Sequence, residues 1–418
     1  MDHETIYKAL VWQDHFSQRT GGVSSSAIRD LLSVVRQPGY ISLAGGMPPP
    51  ELFPIEATRA ASERVLTTDG TTAMQYGLTE GYPPLREFVV EWMQRLGVTL
   101  TVDNVVITSG GMQGIDLCGR LLLNPGDCIL TEAPTFLGAL QVFAVNQARC
   151  LSVPVDYDGL DMAALERQLA RRPAFVYLIP TFQNPSGSTL SLSQREKVLD
   201  LAAHYQVPIL EDDPYSHLRF AGEPLPALMR LDAERHGAAS GAEGEPGGNV
   251  IYVGSFSKIL GPGMRVGWLA GPAPVIRRLT VLKQGTDLHA SVFAQMVVHE
   301  IVRDGEFLPR HVEALRRALH ERRDVMAMAI ERYFPPGVRW SKPDGGLFMW
   351  VTLAPHMDAV ELLAEALEQR VAFVPGFSFF PEGGGQNTLR LNFSYPSVED
   401  IKEGVRRLGQ LLVRHTSG

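Results

Sequence analysis

Short β-rich runs at Val105 to Ile107, Cys128 to Glu132, Phe175 to Ile179, Val207 to Asp212 and Val250 to Gly254 recur through the middle of the chain, with helical patterns between them. The apolar run Val250 to Val253 reads as a buried strand. The alternation is the signature of an α/β layered sheet. Predicted helices include Gln113 to Leu123, Asp161 to Arg171 and Ser193 to Tyr205, the last capped by Ser191 or Ser193. Chemistry in such a sheet collects at the strand ends.

A long helical stretch from about Leu308 to Tyr333 follows, and then the pattern shifts to strands at Leu347 to Val351, Val371 to Val374 and Thr388 to Asn392. This predicts a second, smaller α+β domain. At the other end, the amphipathic stretch Ser26 to Val35 precedes Gly45-Gly46-Met47-Pro48-Pro49-Pro50, too proline-dense for regular structure. The expected division is an N-terminal lid and connector over 1–60, belonging with the small domain, a large domain over 61–307 and a small C-terminal domain over 308–418. Ala238 to Asn249 carries almost no large apolar side chain and reads as an exposed, mobile insertion.

Several function classes are disfavoured at this stage. A formal charge of −8 with no block of Lys and Arg argues against a nucleic-acid surface. No apolar segment is long enough to span a bilayer, and the first residues lack the pattern of a secretion signal. Cys118, Cys128 and Cys150 form an odd set without a C-x-x-C pair, which suits free thiols in a reducing cytoplasm. Small molecules are the expected partners.

The segment Gly254 to Gly267 sets Lys258 between the hydroxyls of Ser255 and Ser257 and the guanidinium of Arg265, in a turn loosened by Gly261-Pro262-Gly263. A lysine of lowered pKa reacts with carbonyls, and arginine grips phosphate through two parallel donors. Together they suit pyridoxal 5'-phosphate, an aldehyde that carries a phosphate. Taken alone, a lysine in such a turn is more often a surface residue.

Other strand ends supply matching groups. Asp212, in Glu211-Asp212-Asp213-Pro214-Tyr215, suits the pyridine nitrogen, and Tyr215 and Asn184 suit the ring's phenolate oxygen. The competing readings are an acidic capping turn and the simple turn Asn184-Pro185-Ser186-Gly187. Gly110, Gly111 and Met112 open a helix whose free N–H groups suit phosphate, although neither nucleotide-binding glycine motif is present. Phe136 is a candidate to stack on the ring, or an ordinary core phenylalanine. Arg390, inside an apolar strand, needs an anion, which is a substrate carboxylate or an internal salt bridge.

From about Trp12 onward the chain resembles the fold type I pyridoxal-phosphate aminotransferases of class I/II, most closely the 2-aminoadipate aminotransferase branch. The resemblance rests on Ser42-Leu43-Ala44-Gly45-Gly46-Met47-Pro48, Gln75-Tyr76-Gly77-Leu78-Thr79-Glu80-Gly81, Asn184-Pro185-Ser186-Gly187, the lysine segment and Leu389-Arg390-Leu391, in that order. It implies a mostly parallel central sheet sandwiched by helices beside a smaller α+β domain. Lys258 would then form the Schiff base and move the proton, and Asp212, Tyr215 and Asn184 would hold the ring. Ser255, Ser257, Arg265 and the loop Gly110 to Met112 would hold the phosphate, and Phe136 would stack. Arg390, with Asn184 and Gly46, would bind the substrate. The resemblance also implies a homodimer, in which Tyr76 reaches the neighbouring subunit's phosphate. Gly111-Met112 stands where relatives often carry a hydroxyl or amide, and Ser186 replaces the commoner threonine.

The implied reaction moves an amino group from 2-aminoadipate, leucine or an aromatic amino acid to 2-oxoglutarate. Arg29 occupies the position that recognises a distal carboxylate in the aminoadipate branch, with a solvent-facing helix arginine as the alternative. Two rivals share the cofactor frame, a C–S β-lyase and a cofactor-sensing regulator. The regulator is disfavoured because only a short acidic stretch precedes the family region.

Overall fold

The computed structural model describes residues 10–21, 39–157, 159–236 and 248–416. Arg29 with the stretch Ser26 to Val35, and most of the insertion from Ala238, lie outside the described residues. In chain order the strands are β1 (Ile41–Ser42), β2 (Val105–Thr108), β3 (Cys128–Ala133), β4 (Arg149–Asp156), β5 (Gly159–Leu160), β6 (Val176–Leu178), β7 (Ile209–Asp212), β8 (Val250–Ser255) and β9 (Gly267–Ala270), then β10 (Arg339–Trp340), β11 (Phe348–Thr352), β12 (Val371–Ala372), β13 (Val374–Pro375) and β14 (Thr388–Asn392).

Eight of these strands form one sheet in the order β2-β9-β8-β7-β6-β3-β4-β5. β4, β3, β6, β7 and β8 run parallel, and β9 runs antiparallel to β8 and β2 on either side. β2 therefore points the same way as β8, so one edge of the sheet collects the carboxyl ends of β2, β3, β6, β7 and β8. The residues of β2, β6, β7 and β8 are all buried, which explains their mostly apolar sequence, with polar residues only at the carboxyl ends. The α/β layer expected from the sequence is present.

Local signals place the helices. Asp161 accepts from the N–H groups of Ala163 and Ala164 and starts the helix Met162–Leu169. Of the two serines proposed as a cap, Ser191 performs it: Gln194 N donates to its hydroxyl and Gln194 Oε1 accepts from Ser191 N, a reciprocal capping box before Leu192–Tyr205.

The remaining strands form an antiparallel sheet, β10-β11-β14-β13, and a parallel pair, β1-β12. The single strand expected over Val371 to Val374 is thus two. β12 pairs with β1, and after the buried Phe373 the chain turns to pair β13 with β14. Pro375 has no N–H to donate, and β13 lies at a sheet edge where none is required. The helix Phe307–Tyr333 packs along Val398–Thr416 and against the turn Ser216–Leu218 beside β7.

Candidate active site

A cavity of about 280 Å³ opens at the carboxyl edge of the large sheet. Gly46, Gly111, Met112, Phe136, Asn184, Asp212, Tyr215, Ser255, Ser257, Lys258, Arg265 and Arg390 all line it. Most of these residues lie at five strand ends, which the common direction of β2, β3, β6, β7 and β8 brings together; Gly46 follows β1 and Arg390 lies on β14. Arg265 arrives by a different route, from the start of the antiparallel β9.

Alternation along β7 sorts its carboxylates, because successive strand residues face opposite sides. Glu211 accepts from the N–H groups of Leu228 and Met229 at 2.8 Å and so caps a helix on the far face. Asp212 faces the cavity and accepts from the Tyr177 hydroxyl at 2.7 Å. Asp213 is engaged by the Tyr252 hydroxyl at 2.9 Å and by Ser216 N at 3.0 Å. Burial pushes the Asp212 carboxyl up to about 7, although the Tyr177 hydrogen bond pulls the other way.

Lys258 ends a short turn after β8, and its Nζ donates to the Gly46 carbonyl at 2.8 Å. Burial, with Arg390 and Arg265 adding like charge, lowers its amine to about 8. Ser255 accepts from Ser257 N and donates its hydroxyl to Ser257 Oγ. Arg265, in the left-handed region at φ 52°, donates from Nη2 to the Ser109 carbonyl at 2.9 Å.

Gly110 has φ 86° and ψ 168°, a region open in practice to glycine, and a Cβ there would lie 2.5 Å from Arg265 Nη2. Gly111 then starts the helix Gly111–Leu122, whose first N–H groups have no intrahelical acceptor. A cation and a helix N-terminus thus meet at one end of the cavity, as anion binding requires.

Arg390 sits on β14 and is 3% exposed. It donates to Asn184 Oδ1 and to the Ala44 carbonyl, each at 2.8 Å, between the rings of Phe348 and Phe379 at 4.2 and 5.0 Å. Its Nε has no partner, and no carboxylate pairs with it among the described residues. The internal salt bridge considered above is therefore absent among these residues. Burial lowers even this guanidinium to about 10, and an anion beside it would offset that cost.

Tyr76 stands apart. It is 79% exposed, its ring lies edge-on to His289 at 5.8 Å, and it does not line the cavity. Sequence reasoning missed Tyr177, Phe348 and Phe379, which shape the site from neighbouring strands and turns. Strand alternation in β6 was the only signal for Tyr177, and no local signal marked the two phenylalanines.

The donor set fits a phosphorylated pyridine aldehyde. An amine of lowered pKa, a buried carboxylate for a ring nitrogen, and a cation beside a glycine-opened helix start surround one cavity. The unpartnered Arg390 Nε leaves a second anion position.

The chain matches the family described as "Aminotransferase class I and II" over residues 39–408. It is 42% identical over 406 residues to the 2-aminoadipate transaminase of Thermus thermophilus, covering 97% of this chain and 98% of that one. It is 40% identical over 410 residues to aromatic-amino-acid aminotransferase 1 of Thermococcus litoralis, covering 96% and 95%. The crystal structure of the Thermus thermophilus α-aminoadipate aminotransferase, complexed with N-(5'-phosphopyridoxyl)-L-leucine, is similar with a TM-score of 0.89 over 98% of this chain and 100% of that one, at 42% identity.

Proposed function

The chain belongs to the class I and II aminotransferases and uses pyridoxal 5'-phosphate; from that premise we propose that it carries an amino group from 2-aminoadipate, leucine or an aromatic amino acid to 2-oxoglutarate. One observation carries this reading: an amine lowered to about 8 shares a cavity with a buried arginine that has no carboxylate partner among the described residues. When bound, the cofactor supplies a carbonyl for amines and a pyridine ring that takes up the electron pair left at the donor's α-carbon.

Each residue has a physical task in this proposal. Lys258, about half neutral at pH 8, would hold the cofactor at its carbonyl carbon and would carry the α-proton on Nζ. Asp212 would face the pyridine nitrogen and keep a proton on it, and a cation there would offset the cost of burying the carboxylate. Tyr215 and Asn184 hold the phenolate oxygen, and Phe136 covers the ring. Ser255, Ser257, Arg265 and the N–H groups of Gly110 to Met112 hold the phosphate. Arg390 grips the α-carboxylate as a planar fork, with Asn184 and Gly46 beside it.

The same proposal includes a homodimer in which Tyr76 reaches the partner's phosphate. Tyr76, Met74 and Leu78 are 79%, 78% and 57% exposed, an apolar group that a second subunit would cover. It also keeps the division into 1–60, 61–307 and 308–418, whose parts meet at the cavity through Gly46, Lys258 and Arg390. A cytoplasmic location agrees with three free cysteines. No helix among the described residues is long and apolar enough to cross a membrane.

Donor choice turns on the distal end of the substrate. Among the described residues the cavity wall offers Ile115, Met112 and Phe348 and no cation besides Lys258, Arg265 and Arg390. Apolar donors suit that wall, and a second carboxylate would need Arg29. Stopped-flow half-reactions with L-2-aminoadipate, L-leucine and L-phenylalanine test this. Arg29→Ala is expected to slow aminoadipate at least about ten-fold, the worth of one charge-assisted hydrogen bond, and to spare leucine. Equal rates with aminoadipate in both proteins would remove Arg29 from the site. Ammonia released from cysteine without a keto-acid acceptor would instead point to the β-lyase.

A further inference from the structure

Behind the loop that faces the cavity runs a chain of polar contacts that the proposed reaction does not use. Lys283, fully buried on the helix Ala273–Gln284, donates from Nζ to Asp287 Oδ1 at 2.6 Å. Asp287 Oδ2 accepts from Gln113 Nε2 at 2.6 Å and from Ser109 Oγ at 3.1 Å. Gln113 Oε1 accepts from Ser109 N at 2.7 Å. The Ser109 carbonyl then accepts from Arg265 Nη2 at 2.9 Å.

Every polar group of Ser109 is thereby committed, so its peptide cannot rotate without breaking contacts to Asp287, Gln113 or Arg265. The next residues are Gly110 and the helix start at Gly111. Burial pushes the Asp287 carboxyl up, but the hydrogen bonds from Lys283, Gln113 and Ser109 outweigh it and hold the group below its ordinary value. Asp287 is then an anion close to a loop meant for anions, which would repel a phosphate if left bare. The Lys283 ammonium neutralises it, and this gives a reason for a lysine with no exposure at this place.

We propose that Asp287 and Lys283 are a positioning pair for the phosphate cup, an inference that rests on the reading of Arg265 and the Gly110 to Met112 loop as the phosphate site. The carboxylate fixes Ser109 through its hydroxyl and through Gln113. The Ser109 carbonyl then anchors Nη2 of Arg265 while the Pro262 carbonyl accepts from Nη1 at 3.2 Å, which fixes the guanidinium at the cavity wall. Neither residue of the pair touches the phosphate.

A purely structural pair would close the end of its helix, and its loss would lower stability without distinguishing ligands by their phosphate. The test is equilibrium binding of pyridoxal 5'-phosphate and of pyridoxal, followed by quenching of protein fluorescence, with thermal unfolding recorded for each variant. Lys283→Met with Asp287→Asn removes both charges and keeps similar shapes. Gln113→Ala breaks the same chain of contacts outside the ion pair and serves if the double variant fails to fold.

Each variant is expected to bind pyridoxal 5'-phosphate about ten-fold more weakly, the worth of one or two hydrogen bonds, with pyridoxal binding unchanged. A wild-type preference for the phosphorylated ligand in both variants, or equal weakening for both ligands, overturns the proposal. Arg265→Ala separates the two levels of inference. If it abolishes the preference while the pair variants keep it, only the positioning role fails. If it leaves the preference intact, the phosphate-site reading fails and takes the positioning role with it.

Discussion

Lys258 and Asp212 owe their chemistry to where burial leaves them. Pyridoxal phosphate captured by the protein lacking cofactor should react faster as pH rises from 6, with a midpoint at about 8 where half of the Lys258 amine has lost its proton, and level off roughly one unit higher. A rate that is flat across this range would sink the assignment of that pKa to the capturing group. Lys258→Ala is expected to lower turnover at least about 10³-fold, because the proton carrier is gone. For Asp212 the folded-state pKa of about 7 stands above the ordinary 3.8, so the folded protein retains a proton that the unfolded chain releases. That contribution to stability is fully present below about pH 4 and is lost as pH rises through about 7. Asp212→Asn should therefore stabilise the cofactor-free protein at pH 8, by roughly 4 kcal/mol at most, and change it little at pH 4, while weakening cofactor binding. Unfolding curves at both pH values check this. The sequence singled out Asp212 from its acidic neighbours by its place at a strand end. Its partner Tyr177 lies on the adjacent strand, 35 residues away in sequence, and no local pattern joins them.

At the scale of the element, the junction of β2 with the helix Gly111–Leu122 concentrates the conformational demand. Gly110→Ala is expected to cost roughly 1–3 kcal/mol from its backbone conformation, and to weaken cofactor binding through the displaced Arg265. A control far from the cavity, Asp161→Ala, should cost about 1 kcal/mol by removing a cap and leave cofactor affinity alone. Strands buried on both faces were legible because polar residues enter them only at their carboxyl ends. β4 was missed because it pairs on one side with only the short β5, and its exposed Arg149 and Pro154 break the apolar pattern. β9 went unnamed because Gly267 reads as loop. A Cβ at Gly267 would lie 2.8 Å from the Gly254 carbonyl and 3.0 Å from Gly110, so glycine is needed there for the close approach of neighbouring backbone. The split between β12 and β13 depends on which strand lies alongside, a fact absent from the segment itself.

For the whole molecule, ligand and assembly should set apparent stability together. Saturating pyridoxal 5'-phosphate at about 100 times its Kd should add about 2.7 kcal/mol, and the unfolding temperature should depend on protein concentration if the subunits are paired. Tyr76→Ala should then weaken cofactor binding despite leaving the cavity of its own chain untouched; unchanged affinity would remove Tyr76 from the shared site. The sequence by itself determined the α/β class, the strand-end turns that carry Lys258, Asp212 and Asn184, and the cofactor. Those features are local, since hydrophobic period and turn chemistry act within a few residues. Only the tertiary structure decided that Arg390 has no carboxylate partner among the described residues and that Phe348 and Phe379 enclose it. It also decided that Lys283 and Asp287 lie behind the loop at Ser109. These facts depend on which distant surfaces exclude water together, and the free energy of a buried charge is set by all its neighbours at once.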